Sequence, residues 1–562
     1  LKTSVKTLQL IEVSAYILAF WSFMVLFLGP LIQFYLHNYA RVERITAIAN
    51  ILLLSLTILT RLSMSDIKAN QKIIVSDLIM LLLGSLLMIY QAKFVIFFLL
   101  TRQTYFILMY IIFRSFEGKF YKFMSTNPPT TLMLSFVFVI LIGTVLLMLP
   151  AASQNNNVTT FIDALFTATS ATCVTGLVVL DTWTYFSTFG QLVILVLIQI
   201  GGLGIMTIST AFALMIGQRI TLKLENILQN VVGGSTRLNL FQLLKSIVLV
   251  TAIIEAIGAA LLYRTFAREM EPLKALYFSV FHSISAFCNA GFSFYSNGFE
   301  NYMGDINLNL TITLLIILGG IGFTVIIDIQ RYLFVPEKVK RLTLHSKVVL
   351  VTTASLLLLG FLAFFVVESQ HTMKDLPMWQ RALGAWFQSV TARTAGFNTV
   401  NIGRFGPASL LVMMGLMFIG ASPGSTGGGI KTSTFVILIL SVTSMLKGHR
   451  DLSIFNRKIA VSNIREATSL TTLSILIILV IVFLLLMLEP FKFDEILFES
   501  VSAFGTVGLS MGITGKLSAT GRVLITLLMY IGRIGPLTLI YAFAIRRRTS
   551  SIQYAEEQLA VG

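Results

Sequence analysis

The sequence predicts an all-α polytopic membrane protein. Four pseudo-repeated units, each a helix, a re-entrant pore helix and a second helix, surround one central pore, with peripheral helices at the N-terminal end. Three observations carry this. First, the 562 residues are 56% hydrophobic and only 12% charged, and the mean hydropathy is +0.86, which excludes an ordinary soluble globule. Second, a short glycine stretch occurs four times: ATCVTGLV around Gly176, AFCNAGFS around Gly291, TARTAGFN around Gly396 and AFGTVGLS around Gly508. The glycine is followed by Leu177, Phe292, Phe397 or Leu509, and ten residues before it stands Phe166, Phe281, Trp386 or Phe498. The glycines are 115, 105 and 112 residues apart, too far for a solenoid, so the repeating object is a larger unit. Third, each glycine lies between two long apolar segments.

Those segments are Leu132–Leu149 with Phe189–Met215, Phe241–Tyr263 with Leu308–Ile329, Val348–Val367 with Leu410–Leu440, and Leu470–Leu488 with Val523–Ile545. Each is near or above the roughly 20 residues that cross a bilayer as a helix. Non-helical backbone at membrane depth is tolerated only where it is buried in protein or lines a water-filled cavity. Four such turns around one axis would present carbonyls that replace a cation's hydration shell. Glycine suits the turn because it reaches positive φ without steric cost.

The net charge of +16 reads as membrane orientation, not nucleic-acid binding. Basic residues gather at Arg114, Lys119 and Lys122; at Arg219 and Lys223; at Arg331, Lys338, Lys340 and Arg341; at Lys447, Arg450, Arg457 and Lys458; and at Arg546, Arg547 and Arg548. All fall on one side of the eight-segment core. That side is cytoplasmic by the positive-inside rule, which puts both termini in the cytoplasm and the glycine turns toward the outside. The two cysteines, Cys173 and Cys288, each lie three residues before a repeat glycine. A disulfide between neighbouring loops is one reading; two small buried residues packing the pore helices is the favoured one. Lys2 and Lys6 before an apolar run resemble a signal peptide, but Leu8–Tyr35 is long and no small-residue cleavage site follows.

In chain order, residues 1–125 hold four apolar segments, Leu10–Phe34, Ile45–Leu62, Ile73–Tyr90 and Phe94–Phe113, bringing the spans to twelve. Arg41, Glu43 and Arg44 would then lie in an outer loop. Unit one, 126–225, opens at Asn127-Pro128-Pro129. Asp163 is placed to cap its pore helix, Asn157-Val158-Thr159 fits a glycosylation acceptor, and the inner helix carries Gly201-Gly202-Leu203-Gly204.

Unit two, 226–342, has Glu255 in its outer helix, where a carboxylate costs about 2.5–3.5 kcal/mol. Function and pairing with a neighbour are both open readings. His282 reads as a packed, hydrogen-bonded residue because no other ligand sits at metal-binding spacing. The inner helix carries Gly319-Gly320-Ile321-Gly322. Unit three, 343–460, departs: Leu410–Ile419 runs into GASPGSTGGG, Gly420–Gly429, before Lys431–Leu440. Five glycines and a proline in ten residues end a helix. Unit four, 461–562, bears Arg533 in IGRIGP; Gly532 follows Gly508 by 24 residues, as Gly420 follows Gly396, so Arg533 and the break share one depth.

TCVTGL, CNAGFS, TAGFN, TVGLS, the broken GASPGSTGGGIKT and IGRIGP resemble the Trk/Ktr/HKT superfamily of K⁺ transporters over about residues 126–548, and TrkH and KtrB pore subunits look nearest. The resemblance implies K⁺ uptake across the cytoplasmic (inner) membrane. It implies a filter of Thr172, Cys173, Val174, Thr175 and Gly176; Cys288, Asn289, Ala290 and Gly291; Thr394, Ala395 and Gly396; and Thr506, Val507 and Gly508. K⁺ would sit at Thr175, Gly176, Asn289, Ala290, Thr394, Ala395, Thr506 and Val507. It implies a gate of Gly420, Gly424, Ser425, Thr426, Gly427, Gly428, Gly429 and Lys431 with Arg533 beside it. It also implies a homodimer in contact with lipid and a cytosolic RCK-type (TrkA/KtrA-like) ring that binds the nucleotide, since no GxGxxG strand-turn-helix exists in this chain. The alternatives are a Na⁺- or H⁺-coupled secondary K⁺ transporter, or the ion-translocating subunit of a pump, because broken helices also bind ions in such proteins. An enzyme is not expected: five scattered histidines and no paired carboxylates make no convergent site.

Overall fold

The structure, a computed structural model, describes residues 39–62, 128–215, 240–334, 341–448 and 451–536, with Thr538 and isolated positions between 14 and 25 and between 77 and 99. The chain divides into two compact units, Leu1–Phe123 with Leu149–Ala151, and Met124–Met148 with Ala152–Gly562.

In the first unit, α1 (Tyr39–Leu62) starts six residues before the expected Ile45, so Arg41, Glu43 and Arg44 lie in its opening turns and not in a loop. No glycine or proline separates Tyr39 from Ile45, and arginine and glutamate are good helix formers. Ala47, Leu54 and Ile58 of α1 are buried with Val25, Val95, Ile96 and Leu99. The Asn50 amide donates to the Ser22 hydroxyl at 2.8 Å. The other three N-terminal segments lie largely outside the described residues, as do Arg114, Lys119, Lys122, Arg219, Lys223, Lys338, Lys340, Arg450 and Arg546–Arg548.

The second unit repeats one order four times: a long helix, a short helix, a glycine turn and a further helical segment. Repeat one is α2 (Pro128–Met148), α3 (Phe161–Thr172) and α4 (Thr188–Met215). Repeat two is α5 (Leu240–Phe266), α6 (Pro272–Phe287), α7 (Ile306–Ile321) and α8 (Phe323–Phe334). Repeat three is α9 (Leu344–Glu368), α10 (Met378–Thr391), α11 (Pro407–Phe418) and α12 (Thr432–Leu446). An antiparallel hairpin, β1 (Ser453–Ile454) and β2 (Arg457–Lys458), precedes repeat four, which is α13 (Val461–Leu488), α14 (Phe493–Gly505) and α15 (Ala519–Ile534). Among the described residues, four helices are long and apolar enough to cross a membrane: α1, α5, α9 and α13.

Local chemistry explains the helix starts. Pro272 and Pro407 open α6 and α11, where a missing N–H costs nothing. Thr343, Asp305 and Ser518 cap α9, α7 and α15 through their side-chain oxygens. The expectation for Asp163 is corrected: Thr160 caps α3, accepting from the Asp163 N–H at 3.3 Å. The Asp163 carboxylate instead meets Arg522 of α15.

The inner segments also differ from expectation. All four break, not only the third. Gly204, Gly322 and Gly535 have φ of 86°, 100° and 89°, and α7 and α8 are bent by 97°. Hydropathy reads straight through a glycine, so the sequence made these segments continuous. The glycine three positions earlier explains its own presence: a Cβ on Gly201, Gly319 or Gly532 would collide with the carbonyl oxygen of Thr172, Phe287 or Phe504, at or near the end of the short helix of the same repeat.

Each short helix also packs on the inner segment of the preceding repeat: α6 on α4, α10 on α7, α14 on α11, and α3 on α15. The order closes on itself. At the seam, Arg522 pairs with Asp163, and the Tyr530 hydroxyl donates to the Met133 carbonyl at 2.9 Å.

Gly319→Ala is expected to destabilise the purified protein by about 1–3 kcal/mol through overpacking. Gly415→Ala, at a helical glycine with open space around it, serves as the neutral comparison. Equal melting temperatures for the two variants in detergent would reject the close-packing argument.

Candidate ion pathway

The four glycine turns meet one another. Gly176, Gly291, Gly396 and Gly508 have φ of 92°, 70°, 79° and 89°. A Cβ added to Gly176 would lie 2.5 Å from the Ala290 carbonyl oxygen; on Gly291, 2.8 Å from that of Ala395; on Gly396, 2.5 Å from that of Val507. On Gly508 it would strike the Thr175 oxygen, which returns to the first turn. Each turn therefore leaves no room for a side chain on its neighbour, in cyclic order.

A second feature of the turns was not legible in the glycine pattern. The residue two before each glycine, Val174, Asn289, Thr394 or Thr506, also has positive φ: 58°, 60°, 70° and 50°. For β-branched Val174, Thr394 and Thr506 this is strained backbone, at about 1–3 kcal/mol each. Alternating the sign of φ sends N–H groups to one side and carbonyls to the other. The N–H side faces back to the short helix: Thr175 donates to the Ser170 carbonyl at 2.8 Å, and Gly176 to the Ser170 hydroxyl at 3.1 Å.

Ser502 holds Gly508 in the same way at 3.1 Å, while the Ser285 and Thr391 hydroxyls donate to the carbonyls of Phe292 and Phe397 at 2.8 and 2.5 Å. These four hydroxyls were missed by sequence reasoning, although a serine six residues before the glycine is visible in three repeats. Repeat three is one residue shorter here. Its anchor, Thr391, lies five residues before Gly396, and the fully buried aromatic is Phe387, nine residues before the glycine, while Trp386 at ten is only partly buried. Trp386 instead donates to the Thr313 hydroxyl at 3.3 Å.

The Gly420–Gly429 loop lies against these turns. Gly428 N–H donates to the Thr506 hydroxyl at 3.0 Å, and a Cβ on Gly427 would strike the Thr394 hydroxyl. Ser422 and Thr426 N–H groups donate to the carbonyls of Gly320 and Gly319, at 3.1 and 3.3 Å, and the Gly424 carbonyl accepts from Phe323 N–H at 3.0 Å. The Ser425 hydroxyl closes back on the Ser422 carbonyl at 2.6 Å. Gly424 and Gly429 both have φ of 69°, and a Cβ on Gly420 would strike the Gly428 carbonyl. Arg533 donates to the Thr426 carbonyl with one guanidinium nitrogen and to the Gly201 carbonyl with another. Lys431 Nζ donates to the Gly427 carbonyl at 2.7 Å. A further arginine, Arg393, escaped the sequence reading; it is buried and reaches the Gly420 carbonyl at 3.4 Å.

Residues 92–553 match the family model for TrkH, a cation transport protein. This chain belongs to the TrkH family. It is 40% identical over 448 residues to Ktr system potassium uptake protein B of Bacillus subtilis, covering 79% of this chain and 99% of that one. It is 39% identical over 438 residues to the protein of the same name from Vibrio alginolyticus, covering 78% and 95%. It is 37% identical over 443 residues to the potassium/sodium uptake protein NtpJ of Enterococcus hirae, covering 78% and 97%. The crystal structure of the potassium transporter TrkH from Vibrio parahaemolyticus aligns with a TM-score of 0.55 over 90% of this chain and 99% of that one. At 17% identity that likeness speaks for the fold alone.

In this TrkH-family chain all four turn glycines line one cavity of about 440 Å³, together with Asp181 and Glu300. Burial works to raise the Asp181 carboxyl, but hydrogen bonds from Ser296, Thr184 and Trp183 outweigh it and hold the group below the usual carboxylate range. Burial pushes Glu300 upward, against Arg404 and Asn398. Cys173 and Cys288 are buried and free, which fits the packing reading. His282 is a packed residue: one ring nitrogen lies 2.8 Å from the Phe278 carbonyl, and the other accepts from Phe294 N–H at 3.2 Å. Glu255 is not a partner of Arg533. It accepts from the Gln199 amide at 3.3 Å and lies 3.9 Å from the Cys288 thiol.

Ser502→Ala strands the Gly508 N–H without its buried acceptor, which costs about 1–3 kcal/mol. Thermal unfolding of the purified variant should shift down accordingly, and an unchanged melting curve would remove Ser502 as an anchor.

Proposed function

We propose that this chain is the pore-forming subunit of a K⁺ uptake system in the cytoplasmic membrane. The observation that carries the reading is the cyclic contact of four glycine turns, each turn's carbonyl filling the place of its neighbour's side chain. In this reading the carbonyls of Thr175, Ala290, Ala395 and Val507, with those of the adjoining turn residues, take over the hydration shell of a dehydrated cation. The names of the Bacillus and Vibrio relatives support K⁺ as the cargo.

The Gly420–Gly429 loop acts as the gate in the same reading. A guanidinium has five donors in a fixed fork, so Arg533 can hold carbonyls on two segments at once. Its charge also repels a cation: two unit charges at about 4 Å interact by about 4 kcal/mol at an effective dielectric near 20. A pull on α12 by a cytosolic RCK-type ring would draw the loop aside, and a second copy of the chain would complete the assembly. Membrane lipid, not nucleic acid, meets the remaining basic surface.

Ion flux into liposomes, K⁺ against Na⁺, tests the function directly. The absence of K⁺ flux under every condition, with a candidate ring present or absent, would reject it. Gly176→Ser should lower K⁺-over-Na⁺ discrimination because its Cβ intrudes on the Ala290 carbonyl; unchanged relative permeability in an assembled variant would argue against the filter. Arg533→Ala, or deletion of Ser425–Gly428, should raise K⁺ flux without the ring. If both variants assemble and conduct no faster than the parent, the loop is packing and not a gate. Neutralising Lys338, Lys340 and Arg341 should weaken co-purification with an RCK-type ring, and equal recovery would place the docking surface elsewhere.

A further inference from the structure

We propose that the Thr506 hydroxyl latches the loop to the fourth glycine turn, so that loop position and turn geometry change together. This rests on the gate reading above and adds a coupling that Arg533 does not provide. Three successive loop residues are held by three different groups. Arg533 takes the Thr426 carbonyl, Lys431 takes the Gly427 carbonyl, and the Thr506 hydroxyl takes the Gly428 N–H at 3.0 Å. The first two holds end on cationic side chains outside the turns. The third ends two residues before Gly508, in the turn itself.

The fit around this contact is close. A Cβ on Gly428 would lie 2.5 Å from the Thr506 oxygen, and one on Gly427 would strike the Thr394 hydroxyl. Thr394 and the Asn289 amide are hydrogen-bonded at 3.2 Å, so contact with the loop apex extends through repeats four, three and two. Asn289, Thr394 and Thr506 are all fully buried.

Thr506 has a further reason to respond. It is a β-branched residue at φ 50°, a conformation that persists only where the surroundings fix it. Its own N–H donates to the Ala503 carbonyl at 3.1 Å, and its hydroxyl is fixed by the loop. When the loop swings aside the hydroxyl loses that donor, and its lone pair becomes available to water or to a partly dehydrated monovalent cation beside the turn. Selectivity then depends on the loop's position.

The test uses the full chain in liposomes without any partner ring. Thr506→Val keeps the shape and removes the hydroxyl. It should raise K⁺ flux by about five-fold, the factor expected for one lost buried hydrogen bond, and should lower the K⁺-over-Na⁺ permeability ratio in the same preparation. Thr506→Ser, which restores the hydroxyl, should return both readouts toward the parent. In an Arg533→Ala background Thr506→Val should add less than five-fold, because both groups hold one loop. Thr506→Ala carries the same expectation if the valine variant does not assemble.

Should Arg533→Ala raise flux while Thr506→Val and Thr506→Ala leave flux and ratio unchanged, the latch is rejected and the gate stands. Should flux or ratio move alone, loop and turn are not coupled through this hydroxyl. Should neither Arg533→Ala nor the Thr506 variants raise flux, gate and latch fall together.

Discussion

The constraint on which the structure depends is the contact between the four glycine turns. Backbone that leaves a helix inside an apolar layer must find partners for its N–H and carbonyl groups. Here the N–H groups of the turns point back to the short helices, with Ser170 and Ser502 supplying extra acceptors. The carbonyl oxygens of Thr175, Ala290, Ala395 and Val507 lie so near the glycine of the neighbouring turn that even a methyl group there is excluded. The surrounding helices serve that arrangement. Gly201, Gly319 and Gly532 let the inner segments approach the ends of the short helices, and each short helix rests on the inner segment of the repeat before it.

Much of this was legible in the sequence because the repeats are read against one another. The four glycines, their apolar flanks and the break at Gly420–Gly429 each stand out by composition or spacing. Arg533 stood out because a charge in an apolar helix is costly, and its depth matched the break. What the sequence concealed was conformation without compositional contrast. Val174 and Thr506 are ordinary strand formers, and nothing in their identity announces a positive φ. Gly204, Gly322 and Gly535 are hydropathically neutral, so three segments with non-helical backbone at a glycine read as continuous ones. Asp163 has the chemistry of a cap, and only the position of Thr160 three residues earlier shows that the cap was already taken.

The repeats are alike but not equivalent, and the difference is concentrated in the third. Its anchoring hydroxyl, Thr391, lies one residue nearer its glycine than the serines of the other repeats, and its inner segment is opened into a loop. At the position three before the glycine, where repeats one and two carry cysteine, repeat three carries Arg393, which reaches the Gly420 carbonyl at 3.4 Å. The loop is therefore met by positive side chains from two directions, Arg393 from its own repeat and Arg533 from the next. A chain with four separately encoded repeats can modify one quarter in this way, whereas an assembly of four identical subunits would change all four together.

The seam between repeat four and repeat one has a consequence for how the chain is made. Asp163 and Arg522 are 359 residues apart in sequence. At about 5–20 residues per second, synthesis separates the emergence of these two partners by roughly 20–70 seconds. During that interval α3 has no inner segment from a preceding repeat to rest on, and the first turn lacks the neighbour that will sit against Thr175. The first repeat to be synthesised is thus the last to acquire its full surroundings, and the ring closes only as the final helices are delivered to the membrane.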